Sequence, residues 1–470
     1  MRLTVRGRNA PPLVETSRMR RRSRLLVALG LTAVAGMTSA SALSRPIQTG
    51  PTYRSYTAPG DLMADAGESS IGVDWKTGAV LMQGQLETDR VTFDAKGNDT
   101  WSKVTGGATG VVTLDAIGAS DSSTGRMFVS QLIGLGSLMV YSDNDGESWT
   151  MSEGSGLPAG YDHQSVGVGP YPSGSAKASG SFPHAVYYCS QEIYAALCAR
   201  SDDGGQVFGI GTPVFTSDCA ASHGHIRVAP DGTVYLPNGY CLGKQGVAVS
   251  TDAGTSWKVK TVPGSTAGDN GDPSMAVGRD GTGYFAYSDG AGRMMVTVTR
   301  DRGDSWTSGT DLTQQLGLGN ASFPEAIAGD GDRAAVAFLG TKTGGNAQDQ
   351  YFGMDASHTR YAGGEYHLYI ATTYDRGRTW KTVDATGKDP VQRGRICLAG
   401  TTCTSSDRNL LDFMDINVDR AGRVLVSWSD GCTDACVKSN LVSDNSFSDK
   451  GNITRQSGGK GLFAAPPPLS

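Results

Sequence analysis

The sequence is informative first through what it lacks. Apart from a short arginine run near the N-terminus, no stretch gathers Lys and Arg into a basic face, and the formal net charge is −5, so nucleic acid is not an expected partner. Beyond residue 42 no segment is apolar enough to span a bilayer. No G-x-S-x-G elbow stands between a strand and a helix, which excludes an α/β-hydrolase. No phosphate-cradling glycine loop leads into a helix. Charged residues are only 19 % against 38 % apolar, yet the apolar positions are spaced too regularly for a disordered chain.

Glycine, by contrast, is abundant. Its 65 copies are about twice the share of an average protein, which suits many short strands joined by tight turns. The N-terminus reads as an export signal. Arg20, Arg21, Arg22 and Arg24 precede the apolar run Leu25 to Gly36, and Ala40-Ser41-Ala42 fits a small-residue cleavage site. Residues 1–42 are therefore expected to be a signal peptide, with Met19 an alternative start and a secreted, extracellular mature chain from Leu43. Eight cysteines, an even number in an exported chain, favour disulfides between sequence neighbours: Cys189 with Cys198, Cys219 with Cys241, Cys397 with Cys403, and Cys432 with Cys436. The four-residue step from Cys432 to Cys436 is not a zinc-knuckle spacing, so no metal site is expected from it.

Internal repetition decides the fold. A turn of the form S/T-x-D/N-x-G-x-S/T-W occurs at Ser142–Trp149, Ser250–Trp257, Thr299–Trp306 and Thr373–Trp380, with a looser copy at Ser201–Phe208. Asn144, Asp203, Asp252, Asp301 and Asp375 are its acidic or amide positions, suited to accept backbone N–H groups within the loop. Ahead of these turns stand paired short strands joined by a glycine turn, as in Ile226–Val228 and Val234–Leu236 around Asp231-Gly232. Four antiparallel strands per repeat follow. Repeats starting near Glu68, Asp115, Asp162, His223, Asp272, Glu325 and Asp412 predict an all-β, single-domain propeller of seven blades, six being the alternative. Its span is 67–450. Residues 43–66 form an N-terminal extension placed to close the ring, and 451–470 a flexible tail.

The five turns make the chain resemble the bacterial neuraminidase repeat, or Asp-box, superfamily over roughly residues 67–450. That superfamily holds sialidases and other secreted glycan-active propellers, so the resemblance implies a glycan or extracellular polysaccharide as partner and exo-sialidase-like glycosidase chemistry as one activity. Sialidases clamp a sugar carboxylate with three arginines and use a Tyr nucleophile beside a Glu. Ser44-Arg45-Pro46-Ile47 does not match the family's arginine motif. Tyr351, Tyr361 and Tyr366 stand in the long loop of the sixth repeat, with Glu365 beside the last, and no motif fixes which of them would make a Tyr–Glu pair.

Antiparallel order puts the glycine turns and the Asp-box turns at one end of every blade. The long loops 340–366 and 382–411, all eight cysteines and the first residues of the innermost strands fall at the other end. Loops on a rigid ring are where function concentrates. Candidate catalytic residues are thus Glu325, Asp272, Asp115, Glu68 and Tyr366; candidate binding residues are Asp162, His163, His225 and Asp412. Paired carboxylates at this mouth suit general acid–base work on a glycoside, or hydroxyl recognition without catalysis. No cofactor is expected, although a structural or channel calcium is compatible with the carboxylates. The chain is expected to act as a monomer.

Overall fold

The computed structural model describes residues 50–106, 116–133, 136–153, 162–175, 182–192, 195–215, 217–268, 270–403 and 406–469. The expected signal peptide, residues 1–42, and Asp115 lie outside them. Seven antiparallel sheets form a ring, and the six-bladed alternative is set aside. The first strand, β1 (Thr52–Thr57), is used last and is described with blade VII. Blade I is β2 (Ser69–Val73), β3 (Val80–Gly84), β4 (Glu87–Phe93) and β5 (Asp99–Lys103); blade II is β6 (Ala116–Asp121), β7 (Arg126–Ile133), β8 (Gly136–Ser142) and β9 (Thr150–Met151). Blade III is β10 (Asp162–Gly169), β11 (Ala185–Gln191), β12 (Ala196–Ser201) and β13 (Thr212–Phe215); blade IV is β14 (Arg227–Val228), β15 (Val234–Cys241), β16 (Lys244–Ser250) and β17 (Lys258–Thr261). Blade V is β18 (Ser274–Val277), β19 (Gly283–Ser288), β20 (Met294–Thr299) and β21 (Thr310–Asp311); blade VI is β22 (Asn320–Ala328), β23 (Ala334–Thr341), β24 (Glu365–Thr373) and β25 (Lys381–Asp384), with β26 (Gln392–Arg393) added on β24.

Blade VII takes β27 (Asp415–Val418), β28 (Val424–Asp430) and β29 (Lys450–Gly458) from the C-terminal end of the chain, and β1 supplies its outer strand by pairing antiparallel with β29. The expected flexible tail from 451 is therefore corrected: Gly451 to Gly458 are sheet, held by hydrogen bonds on both sides. The residues after them are also anchored. Leu462 is fully buried and bonds Gly422 and Asp330 through its backbone, while the ring of Phe463 meets Trp75 edge-on at 5.7 Å. An apolar pair inside a glycine- and proline-rich stretch suffices to pin it across blades VI, VII and I.

The recurrent turn works as its composition predicts. In each of the five copies the Ser or Thr hydroxyl accepts the glycine N–H four residues on and donates to the Asp or Asn oxygen two residues on. That oxygen in turn accepts the N–H four residues further. The glycine sits at positive φ, 83° at Gly146 and 86° at Gly303, where a Cβ would be strained. The closing aromatic reaches the preceding blade: Trp149 Nε1 donates to Val104 O at 2.6 Å, and Trp380 meets Tyr284 edge-on. Ion pairs such as Arg302–Asp231 and Arg376–Asp280 tie these turns to the neighbouring blade. The core lies between sheets, where alternate residues of each strand face the next blade, as Tyr187, Tyr235 and Phe285 do at 1 % exposure or less.

All four disulfides join the sequence neighbours expected. They fit an oxidising compartment. No helix among the described residues is long and apolar enough to cross a membrane.

Candidate functional site

The innermost strands begin at the loop end of the ring, and two of them are bent there. The register of β10 shifts between Asp162 and Ser165, with His163 at φ 51°; that of β22 shifts between Ser322 and Glu325, with Phe323 at φ 56°. Bulges of this kind re-aim side chains. The first turns His163 toward Asp272, and the second places Glu325 inside the channel, five residues after its strand starts rather than at the start as the repeat spacing suggests.

The result is two polar layers. In the upper layer His163 Nδ1 lies 2.7 Å from Asp272 Oδ2 and its Nε2 lies 3.7 Å from Asp162 Oδ2. Burial opposes the imidazolium, but the charges of Asp272, Asp162 and Asp412 outweigh it and raise the His163 pKa to about 10. Asp412 is held in a two-armed pair by Arg408, and its backbone N–H donates to Glu68 Oε1 at 3.0 Å. His223 stands behind His163, ring centroids 6.1 Å apart; burial, then the charge of His163, lowers its pKa to about 4. Four carboxylates (Glu68, Asp162, Asp272 and Asp412) thus gather around two cations, His163 and Arg408.

The lower layer is more enclosed. Glu325 Oε2 accepts from Ser274 Oγ at 2.9 Å, and Arg227 Nη2 lies 3.4 Å from both Glu325 and Asp415. His225 Nδ1 lies 3.3 Å from Glu325 Oε1, and its ring meets Phe413 edge-on. Burial works against a charged His225, but Glu325 and Asp415 overcome it and its pKa is raised; burial raises that of Asp415, with Arg227 opposing. Below this layer is a cavity of about 160 Å³.

Above the upper layer opens a cleft of about 480 Å³. Asp162, His163, Asp272 and Asp412 form its floor, and Tyr240, Gln348 and Arg395 stand on its walls with the Cys397–Gly400 turn. The walls are rigid. Arg395 makes a two-armed pair with Asp407 and donates to Gln348 O, while Cys397 is bonded to Cys403. A groove of about 520 Å³ on the flank of blades III and IV is larger, but there Arg200 pairs with Asp202 and none of the channel-mouth residues lines it.

Of the residues singled out in the sequence, Glu68, Asp162, His163, Asp272 and Asp412 meet in the upper layer, and His225 and Glu325 in the lower. Asp115 lies outside the described residues. Tyr366 is not in the site. It is 1 % exposed in the core between blades VI and VII, beside Phe352, and burial raises its pKa. Successive residues on a strand face opposite sides, so Glu365 points away to the surface and pairs with Arg393, and no Tyr–Glu couple forms. Tyr240, Gln348, Arg395 and Arg408 were not legible. The signal was present only as the long loops, 340–366 holding Gln348 and 382–411 holding Arg395 and Arg408, and as Cys241 beside Tyr240.

No family model and no curated protein matches the chain. Solved structures do, at low similarity. The Aleuria aurantia lectin in complex with a fucosyl-GlcNAc is 10 % identical, with TM-score 0.44, over 68 % of this chain and 94 % of the lectin. A GH74 xyloglucanase from Xanthomonas campestris is 13 % identical, with TM-score 0.45, over 80 % of this chain and 53 % of the enzyme. Virginiamycin B lyase from Staphylococcus aureus is 10 % identical, with TM-score 0.45, over 86 % and 99 %. A lectin, a glycosidase and a lyase at such identities do not bear on what this chain does.

Proposed function

We propose that the protein is a secreted, extracellular propeller of the Asp-box type that recognises glycans in its loop-face cleft without hydrolysing them. The observation that carries this reading is the commitment of the cleft's carboxylates. Asp162 and Asp272 share one imidazolium, Asp412 is clamped by Arg408, and Glu68 accepts a backbone N–H. Glycoside hydrolysis needs a carboxylic acid poised to protonate the leaving oxygen. A floor of anchored acceptors is suited instead to sugar hydroxyls, with Tyr240, 40 % exposed, offering a ring face for the apolar side of a pyranose.

The same arrangement disfavours a sialidase. Each arginine near the mouth is already paired: Arg395 with Asp407, Arg408 with Asp412, Arg227 with Glu325 and Asp415. Among the described residues no clamp of three guanidinium groups remains for a sugar carboxylate, and the excess of carboxylates repels one. Neutral glycans are the expected ligands.

A glycan array, followed by titration of the strongest hits, tests the reading. Asp272→Asn should weaken binding about 10- to 100-fold, the loss of one charge-assisted hydrogen bond. A panel of fluorogenic glycosides run alongside should show no turnover. Hydrolysis that disappears in Asp272→Asn or Glu325→Gln would replace the binding reading with a catalytic one, and silence in both assays would remove the glycan assignment.

A further inference from the structure

His225, Glu325 and Asp415 come from blades IV, VI and VII and converge on the channel axis. One ligand atom from each lies within 4.8 Å of the other two, and the residues are 8 %, 5 % and 5 % exposed. An ion-pair network with Arg227 explains them incompletely. Charge-assisted N–H···O bonds are usually about 2.7–2.9 Å, as at Arg126–Asp143 (2.7 Å) and Arg395–Asp407 (2.8 Å). Here the three contacts are 3.3, 3.4 and 3.4 Å. Arg227 also touches the carboxylates through Nη2 alone, and its buried Nε has no hydrogen-bond partner. A planar guanidinium with five donors is a poor filling for this space. A smaller, denser cation fits it better.

We propose that His225, Glu325 and Asp415 form a binding site for a divalent transition-metal ion, with Arg227 the resident counter-cation that the metal displaces. An imidazole nitrogen and two carboxylate oxygens bind Zn²⁺ at about 2.0–2.2 Å, which calls for ligand atoms roughly 3–3.5 Å apart. His225 and Glu325 already stand 3.3 Å apart. The nitrogen donor selects against Ca²⁺ and Mg²⁺, which take oxygen ligands. The cavity of about 160 Å³ on the far side is lined by His225, Arg227 and Asp415 together with Ser120, Ser165 and Asn417, polar enough and large enough for water to complete the coordination. Both carboxylates are held from behind: the backbone N–H of Ile71 donates to Asp415 and the hydroxyl of Ser274 to Glu325, contacts that orient ligating carboxylates.

The test is calorimetric titration of the full chain, stripped with a chelator, with Zn²⁺. One ion per chain is expected, with Glu325→Gln and Asp415→Asn each weakening binding by more than roughly 100-fold. Arg227→Gln, which removes the competing cation, should tighten it about tenfold. His358→Ala, on the exposed Tyr351–His358 stack, controls for surface binding and should change nothing. No stoichiometric binding, or binding that survives Glu325→Gln and falls in His358→Ala, overturns the proposal. If the carboxylate variants do not fold, Arg227→Gln decides alone: tighter binding supports the site, and unchanged or weaker binding overturns it.

Discussion

The recurrent turn makes a quantitative claim that one substitution can test. Ser142, 2 % exposed, accepts the Gly146 N–H at 2.9 Å and donates to Asn144 Oδ1 at 2.9 Å. Gly146 is itself buried. Ser142→Ala removes a neutral hydrogen bond, about 0.5–1.5 kcal/mol net, and strands a buried N–H, about 1–3 kcal/mol more. The expected loss is therefore about 1.5–4.5 kcal/mol. Ser148→Ala is the contrasting case. Its hydroxyl accepts from Asn144 Nδ2 in an exposed position, while the bond from its backbone N–H to Asn144 Oδ1 survives, so about 0.5 kcal/mol is expected. Ser142→Thr should restore stability, because Thr occupies the equivalent place at Thr299 and Thr373. Urea unfolding followed by tryptophan fluorescence reads all three. A Ser142→Ala loss below about 0.5 kcal/mol, or a Ser148→Ala loss equal to it, would show that the hydroxyl does not hold the turn.

Three further outcomes follow from the same geometry. The His163 pKa is raised to about 10 from about 6.5 in the unfolded chain, so its stabilising contribution is complete below about pH 6.5 and fades as pH rises toward 10; thermal melts should show the gap between wild type and His163→Gln widest near pH 6 and narrowing with alkali, and a gap independent of pH would contradict the ion-pair assignment. Burial first, and then Glu87, push the Asp89 carboxyl up to about 7, so ionising it opposes folding; Asp89→Asn should melt higher than wild type at pH 8 and lose that advantage below pH 4. Leu462 is fully buried beneath blades VI and VII, and Leu462→Ala should cost about 2–5 kcal/mol in urea, whereas a C-terminal segment lying free on the surface would lose almost nothing.

The parts of the fold legible in the sequence are those set by short-range chemistry. A turn whose Ser, Asn and Gly touch within eight residues can be read from spacing alone, and five such turns in register imply sheets of four strands. Disulfides four to twenty-two residues apart are readable for the same reason. The channel mouth was legible as a list, because the first residue of an innermost strand must lie there, but its pairings were not. Which carboxylate meets His163 depends on blades III and V converging across the channel mouth with blade IV between them, and Glu325 was displaced by a bulge that no repeat length encodes. Tyr366 failed on strand alternation: beside Glu365 in sequence, it faces the other side of the sheet. The tail was misjudged because its partners, Thr52–Thr57, lie some four hundred residues away.

That last pairing bears on how the molecule comes into being. β1 is made before every other described strand of the ring, yet the edge it must join, β29, is made after all of them. Until β29 is made the polypeptide carries an orphan strand, and blade I stands beside a vacancy. The order of manufacture and the order of assembly therefore run in opposite senses: the earliest strand to be made is the last to find its place. Loss of either β1 or β29 removes the same joint, and a ring of this type is either whole or open.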